Sequence, residues 1–203
     1  MFENTTLTEY TELLASPKAV PGGGGASAIV AAIGISLGDM VGELTVGKKK
    51  YAEVEADIKA LMAHAQELRK QFLDLSEKDA LLFEPLSKAY SMPKDAPGRD
   101  EYMEKCLRDA ASVPLEIFDL CCESIDVLKE FGEKGSKLML SDAATGVVHV
   151  WGAMYGAAVN VKVNTKLMKD REYAEKINRH IDEKMDVYWK IAEKVYEDVY
   201  STF

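Results

Sequence analysis

Helical apolar spacing through Tyr51, Val54, Ile58, Leu61, Ala65, Leu68, Phe72 and Leu75 arrives four residues later at Asp79, then returns to Leu82 and Leu86. A carboxylate in that phase is either held against apolar neighbours or marks the place where the seam ends and water begins. In the first case burial disfavours the charged form, raises the pKa and makes Asp79 a general acid or base. A second polar row, Asp142, Thr145, His149, Gly152, Gly156, Asn160 and Asn164, falls on roughly one helical face. Such a row wants partners, from another helix or from a polar ligand. His149 could carry a proton near neutral pH or be a satisfied structural imidazole. Asn160 and Asn164 could hold an amide-bearing ring or knit two helices together. His64 and His180 stand among charges and read as surface residues.

Pro21 is followed by Gly22, Gly23, Gly24 and Gly25, a flexible turn ahead of a small-residue helix expected from about Ala26 to Val46. Backbone N–H groups beside a positive helix terminus suit a carboxylate or phosphate, although neither a P-loop nor a dinucleotide fingerprint is present. Lys48, Lys49, Lys50 and Arg69 are the nearest cations in sequence, either an anion-attracting cluster or a solvated helix start. Gly34, Gly38 and Gly42, continuing the track of Ser27 and Ala31, each cost about 1 kcal/mol against alanine in a helix interior. Close helix packing or a ligand lying on bare backbone would offset that. HExxH, a paired Glu-x-x-His set, CxxC and GxSxG are all missing, so the expected chemistry is acid–base, with no metal and no covalent intermediate. Cys106, Cys121 and Cys122 read as packing thiols of a cytoplasmic protein.

The elements that must position these groups are helices. Thr5 or Thr6 can cap a first helix closed by Ser16 and Pro17. A long helix is expected from Lys49 towards Ala89, a loop over Ser91–Gly98, and a helix from Asp100 to Phe131 bent or broken at Pro114. A turn over Gly132–Gly135, a helix over Ser136–Met168 and a last one over Asp170–Tyr200 complete the chain. No segment has strand grammar. The expected fold is all-α, a single-domain bundle of five or six mostly long antiparallel helices over residues 1–203. The 203 residues carry 34 acids against 25 Lys plus Arg, a formal charge of -9, which argues against a nucleic-acid partner. The longest nearly apolar run, Ala26 to Leu37, is shorter than the roughly twenty residues a bilayer crossing needs, so no membrane role is expected.

Several stretches, taken in order, resemble the cyclodeaminase/cyclohydrolase family: Leu14-Ala15-Ser16-Pro17, Pro21 through Ala28, Leu44-Thr45-Val46-Gly47-Lys48-Lys49-Lys50-Tyr51, Asp79-Ala80 through Phe83, Ala89 through Lys94, Val113-Pro114-Leu115, Ser141-Asp142-Ala143 and Asn160-Val161-Lys162-Val163-Asn164. Gly25 stands where the family commonly has serine, and Leu81 stands in a second acidic position. The resemblance implies a self-associating helical enzyme, expected as a homodimer, acting on a one-carbon form of tetrahydrofolate with or without a polyglutamate tail. It would either hydrolyse 5,10-methenyltetrahydrofolate to 10-formyltetrahydrofolate or release ammonia from 5-formiminotetrahydrofolate. A chain of this size without a transferase half favours the cyclohydrolase. A non-catalytic folate-binding or structural oligomer is the other alternative. The roles implied are Asp79 or Asp142 as proton carrier with His149 assisting, Asn160 and Asn164 on the pterin, and Lys48–Lys50 with the Gly22–Gly25 amides and Ser27 on the tail.

Overall fold

A computed structural model describes residue 2 and residues 5–202, so the expected domain limits at 1 and 203 fall outside the described residues. Six α-helices follow one another: α1 (Leu7–Leu14), α2 (Gly23–Glu43), α3 (Glu55–Tyr90), α4 (Arg99–Lys134), α5 (Leu140–Thr165) and α6 (Arg171–Tyr200). Short 3-10 turns at Lys49–Val54 and Lys137–Met139 lead into α3 and α5. No strand occurs among the described residues, and the all-helical bundle is as the apolar periodicity predicts.

Local chemistry accounts for the boundaries. Thr6 and Glu9 form a capping box at the start of α1. Asp170 caps α6 by accepting from the Tyr173 amide at 3.0 Å. Gly98 precedes α4 at φ 74°, a conformation suited to glycine. Pro114 does not break α4, which runs on for 36 residues. A proline has no N–H, so the carbonyl of Ala110 has lost its intrahelical donor; the Asn164 side chain on α5 donates to it instead, at 3.4 Å.

Three of the four glycines expected in a flexible turn are helix: Gly22 is the extended N-cap and α2 begins at Gly23, three residues earlier than the sequence suggests. By length and composition the helix could cross a bilayer, yet most of it is buried inside the bundle against α3, α4 and α5. Its glycines are contact points. A Cβ on Gly34 would stand 2.8 Å from the carbonyl oxygen of Gly146, and one on Gly38 would stand 2.8 Å from Leu128 and 2.9 Å from Phe131. Gly42 is pressed against Met62 of α3 in the same way. The glycine track is thus a packing surface that lets three helices approach one backbone. Phe72, Phe118, Phe131, Ile125, Leu128 and Met154 fill the core around it.

Contacts along α2 and α5 fix their relative direction. Gly23 faces Asn160, whereas Gly34 faces Gly146 and Val150, so the two helices are antiparallel. Because Gly34 meets backbone rather than a flexible side chain, Gly34→Ala should lower stability by about 1–3 kcal/mol, the usual cost of overpacking. Gly132→Ala in α4 has ordinary contact distance, 4.0 Å to Ala143, and should stabilise by about 0.5–1 kcal/mol. Chemical denaturation of the two variants side by side measures both signs.

Candidate active site

The N-terminus of α2 holds three adjacent glycines, and each close approach there has a named partner. A helix start leaves its first amides without intrahelical acceptors. The Gly25 N–H donates to Asp79 Oδ2 at 2.8 Å, so a carboxylate from the middle of α3 caps α2. Among the described residues, no acceptor takes the Gly23 or Gly24 amide. A Cβ on Gly24 would lie 2.8 Å from Asp79 Oδ2 and closer still to Oδ1, which is why this turn is glycine. On the other side, Gly23 lies against Asn160: a Cβ there would meet its Nδ2 at 3.0 Å. Ser27 donates to the Gly23 carbonyl at 2.8 Å and packs against Gly156.

Two effects oppose each other at Asp79. Burial pushes its carboxyl above the usual aspartate range, while the Gly25 N–H works the other way, and burial wins. The folded chain therefore keeps this proton to higher pH than the unfolded chain does. It follows that Asp79 gives up stability as pH rises from the ordinary aspartate range through its folded pKa, the reverse of an ion-paired carboxylate.

The other sequence candidates are distributed along the bundle. Lys48, Lys49 and Lys50 are exposed at the far end of α2 from Gly23, and 21 helical residues put about 30 Å between them. Within one chain they do not share a site with Gly22–Gly25. Lys48 instead reaches Ser136 Oγ at 3.5 Å, and Lys50 lies over the Tyr51 ring. Arg69 pairs with the buried Asp39 at 3.4 Å and clasps α3 to α2. Asp142 is in the first turn of α5, about 27 Å along that helix from Asn160. His149 is midway, beside Gly34, in a shallow cavity with Tyr196 and Tyr200, and its Nδ1 has no hydrogen-bond partner. The single helical face read from the sequence exists, but it extends too far for Asp142, His149 and Asn160 to close on one reacting carbon.

The asparagine amides are committed to different degrees: Asn164 uses both N–H groups on backbone carbonyls, Asn160 only one. Asn160 Nδ2 donates to the Gly156 carbonyl at 2.8 Å, and Asn164 Nδ2 donates to the Asn160 carbonyl at 2.9 Å as well as to Ala110. Burial pushes the Cys122 thiol up to about 12 and the Cys121 thiol well above its ordinary value, consistent with inert packing thiols. Sequence reasoning missed Tyr10 and Ser76, which lie beside Asp79. Tyr10 falls in the apolar phase of α1 and reads as core; Ser76 stands one turn before Asp79, an available signal that went unused.

A family model described as formiminotransferase-cyclodeaminase matches residues 6–183. A methenyltetrahydrofolate cyclohydrolase of Methylorubrum extorquens is 36% identical over 205 residues, covering 99% of both chains. The chain belongs to the formiminotransferase-cyclodeaminase family. The mouse formimidoyltransferase-cyclodeaminase is 29% identical over 182 residues, which are 88% of this chain but 34% of the mouse protein, so the chain spans about a third of that relative. The crystal structure of a formiminotetrahydrofolate cyclodeaminase from Thermotoga maritima superposes with a TM-score of 0.86 at 27% identity, covering 98% of this chain and 99% of that one. The glycine turn and its carboxylate lie within the residues that the family model matches.

Gly24→Ala tests whether that turn positions the carboxylate. The added methyl forces Asp79 away from the Gly25 amide, so activity should fall at least about tenfold, the loss expected when a reacting group is displaced by around an ångström. A circular-dichroism spectrum like that of the wild type would show the loss to be local. In urea titrations across pH, Asp79→Asn should remove the decline in stability that the wild type shows on rising from the ordinary aspartate range.

Proposed function

We propose that the protein is a formiminotetrahydrofolate cyclodeaminase, with Asp79 as its proton carrier. The observation that carries this reading is a carboxyl raised by burial and held by the Gly25 amide at an open helix N-terminus. The Thermotoga cyclodeaminase, of nearly the same span, supports this choice. Size therefore gives no ground for preferring the cyclohydrolase.

The reaction requires two proton movements at one carbon. N10 attacks the carbon of the protonated formimino group on N5, the C=N electron pair moves to that nitrogen, and a tetrahedral carbon bearing an amino group forms. The N10 proton must leave, and the amino group must gain a proton before its C–N bond breaks and ammonia departs, giving the methenyl bridge. A single carboxyl whose pKa burial has raised can take the first proton and deliver the second. The free Gly23 and Gly24 amides at the positive end of α2 would hold an anionic group of the substrate, such as a tail carboxylate.

A second reading is favoured by the full-length Methylorubrum cyclohydrolase at 36% identity. There water adds to the methenyl carbon and N5 is protonated as its bond to that carbon breaks, again through a tetrahedral carbon within reach of the same carboxyl. The near-ultraviolet absorbance of the methenyl form separates the two: it should grow, with ammonia, from formiminotetrahydrofolate, whereas a cyclohydrolase would consume it. Asp79→Asn keeps an oxygen for the Gly25 amide and should lower kcat by about a hundredfold or more. Folate binding without turnover of either substrate would reject both enzymatic readings.

The working form we propose is a homodimer. Val30, Ile33, Met40 and Leu44 on α2, and Val148, Tyr155, Val159 and Val163 on α5, expose apolar side chains at spacings of three, four or seven residues on two neighbouring antiparallel helices. Clustered exposed apolar side chains of this kind mark surfaces that a partner covers. A second copy docked by a two-fold axis offers the same face in return, and an axis perpendicular to α2 would bring one copy's lysine end beside the other's glycine turn. Sedimentation should give a dimer, and Val159→Glu with Ile33→Glu should give a folded monomer.

A further inference from the structure

Beneath α1, between α2 and α3, lies a cavity of about 490 Å³ that the catalytic reading leaves unused. Phe2, Leu7, Ile29 and Leu73 give it apolar walls, and Tyr10 and Ser76 line it as well. The Phe2 ring stands edge-on to Tyr10, with centroids 5.4 Å apart. Tyr10 is 7% exposed and Ser76 2%; their hydroxyls lie near one another, yet among the described residues neither has a partner in hydrogen-bond geometry. Buried hydroxyls are rarely left that way, so two side by side call for an explanation.

The cavity borders the candidate active site. A Cβ on Gly25 would lie 3.3 Å from Ser76 Oγ and 3.6 Å from Asp79 Oδ2, so the serine hydroxyl and the carboxylate touch the same turn of α2. Burial pushes the Tyr10 phenol up; the Ser76 hydroxyl works the other way, and the Asp79 and Glu77 charges add to the rise. At the rim, Lys70 and Asp74 neutralise each other at 2.6 Å, and Glu77 accepts from the Phe2 amide. With Lys70, the cation among the lining residues, already held by Asp74, the cavity suits an uncharged flat ring better than an anionic tail. Apolar walls with a few fixed hydroxyls are what such a ring requires. Of the alternative holders, Asn164 has spent both amide N–H groups on backbone carbonyls, and Asn160 has spent one and lies against Gly23, away from this cavity.

We propose that this cavity is the subsite for the fused heterocycle of the substrate, with the Tyr10 and Ser76 hydroxyls taking its donor and acceptor edge and the one-carbon bridge reaching Asp79. The assignment rests on the folate reading above and makes α1 part of the binding site. Tyr10 and Ser76 are then binding residues, distinct in role from the proton carrier.

Calorimetric titration with 5-formyltetrahydrofolate, a folate that carries the ring and undergoes neither reaction, tests it without turnover. Tyr10→Phe and Ser76→Ala should each weaken binding by about three- to tenfold, the loss of one hydrogen bond. Leu73→Trp, which fills the cavity from an exposed wall position, should weaken it further, while Asp79→Asn should bind like the wild type and lose turnover. Thermal midpoints near that of the wild type establish that the variants fold. Affinities within twofold of the wild type in all three cavity variants would overturn the subsite while leaving the folate reading intact. Failure of the wild type to bind would overturn both.

Discussion

The contact between the Gly25 amide and the Asp79 carboxylate ties together the two parts of the molecule that matter most. A helix that opens on glycines has no side chain with which to cap itself, and α2 has no cap of its own. A carboxylate at a packing position of α3 has no water to solvate it fully. Each element meets the other's need, and the carboxyl that results is held in place and kept above its ordinary pKa by burial. Without the absence of side chains at Gly23 and Gly24, neither Asp79 nor Asn160 could come so close.

The rest of the bundle serves that contact by fixing the direction and depth of α2. Gly34, Gly38 and Gly42 bring the helix against α5, α4 and α3 in turn, and Pro114 frees a carbonyl that the Asn164 side chain then occupies. The Asp39 and Arg69 pair adds a polar clasp between α2 and α3. These are packing features, and they explain why small residues and helix breakers stand inside long helices. The outer face of α2 and α5 remains apolar and uncovered, so the helix that carries the site also carries the surface proposed for self-association.

Much of this was open to reading from the residues alone. Apolar periodicity identified the helices, and its single acidic exception identified Asp79. The glycine turn stood out for the same reason, although its helical state did not, because four glycines argue for flexibility until a partner carboxylate caps them. Distance along a helix was the harder quantity. Asp142, His149 and Asn160 share a face in projection but lie along most of the length of α5, and Lys48–Lys50 follow the glycines closely in sequence yet are separated from them by a whole helix. Tyr10 was hidden because a tyrosine in an apolar phase announces burial, not a hydroxyl left without a partner.

A direct titration of the Asp79 carboxyl by carbon-detected NMR, in protein labelled at aspartate and assigned by the Asp79→Asn variant, tests the central claim. The account predicts one aspartate titrating clearly above the ordinary carboxylate range, and its signal missing from the variant. An Asp79 signal titrating at or below the ordinary aspartate value would contradict it, since the Gly25 amide would then outweigh burial and the group would be a structural cap with no proton to exchange near neutrality.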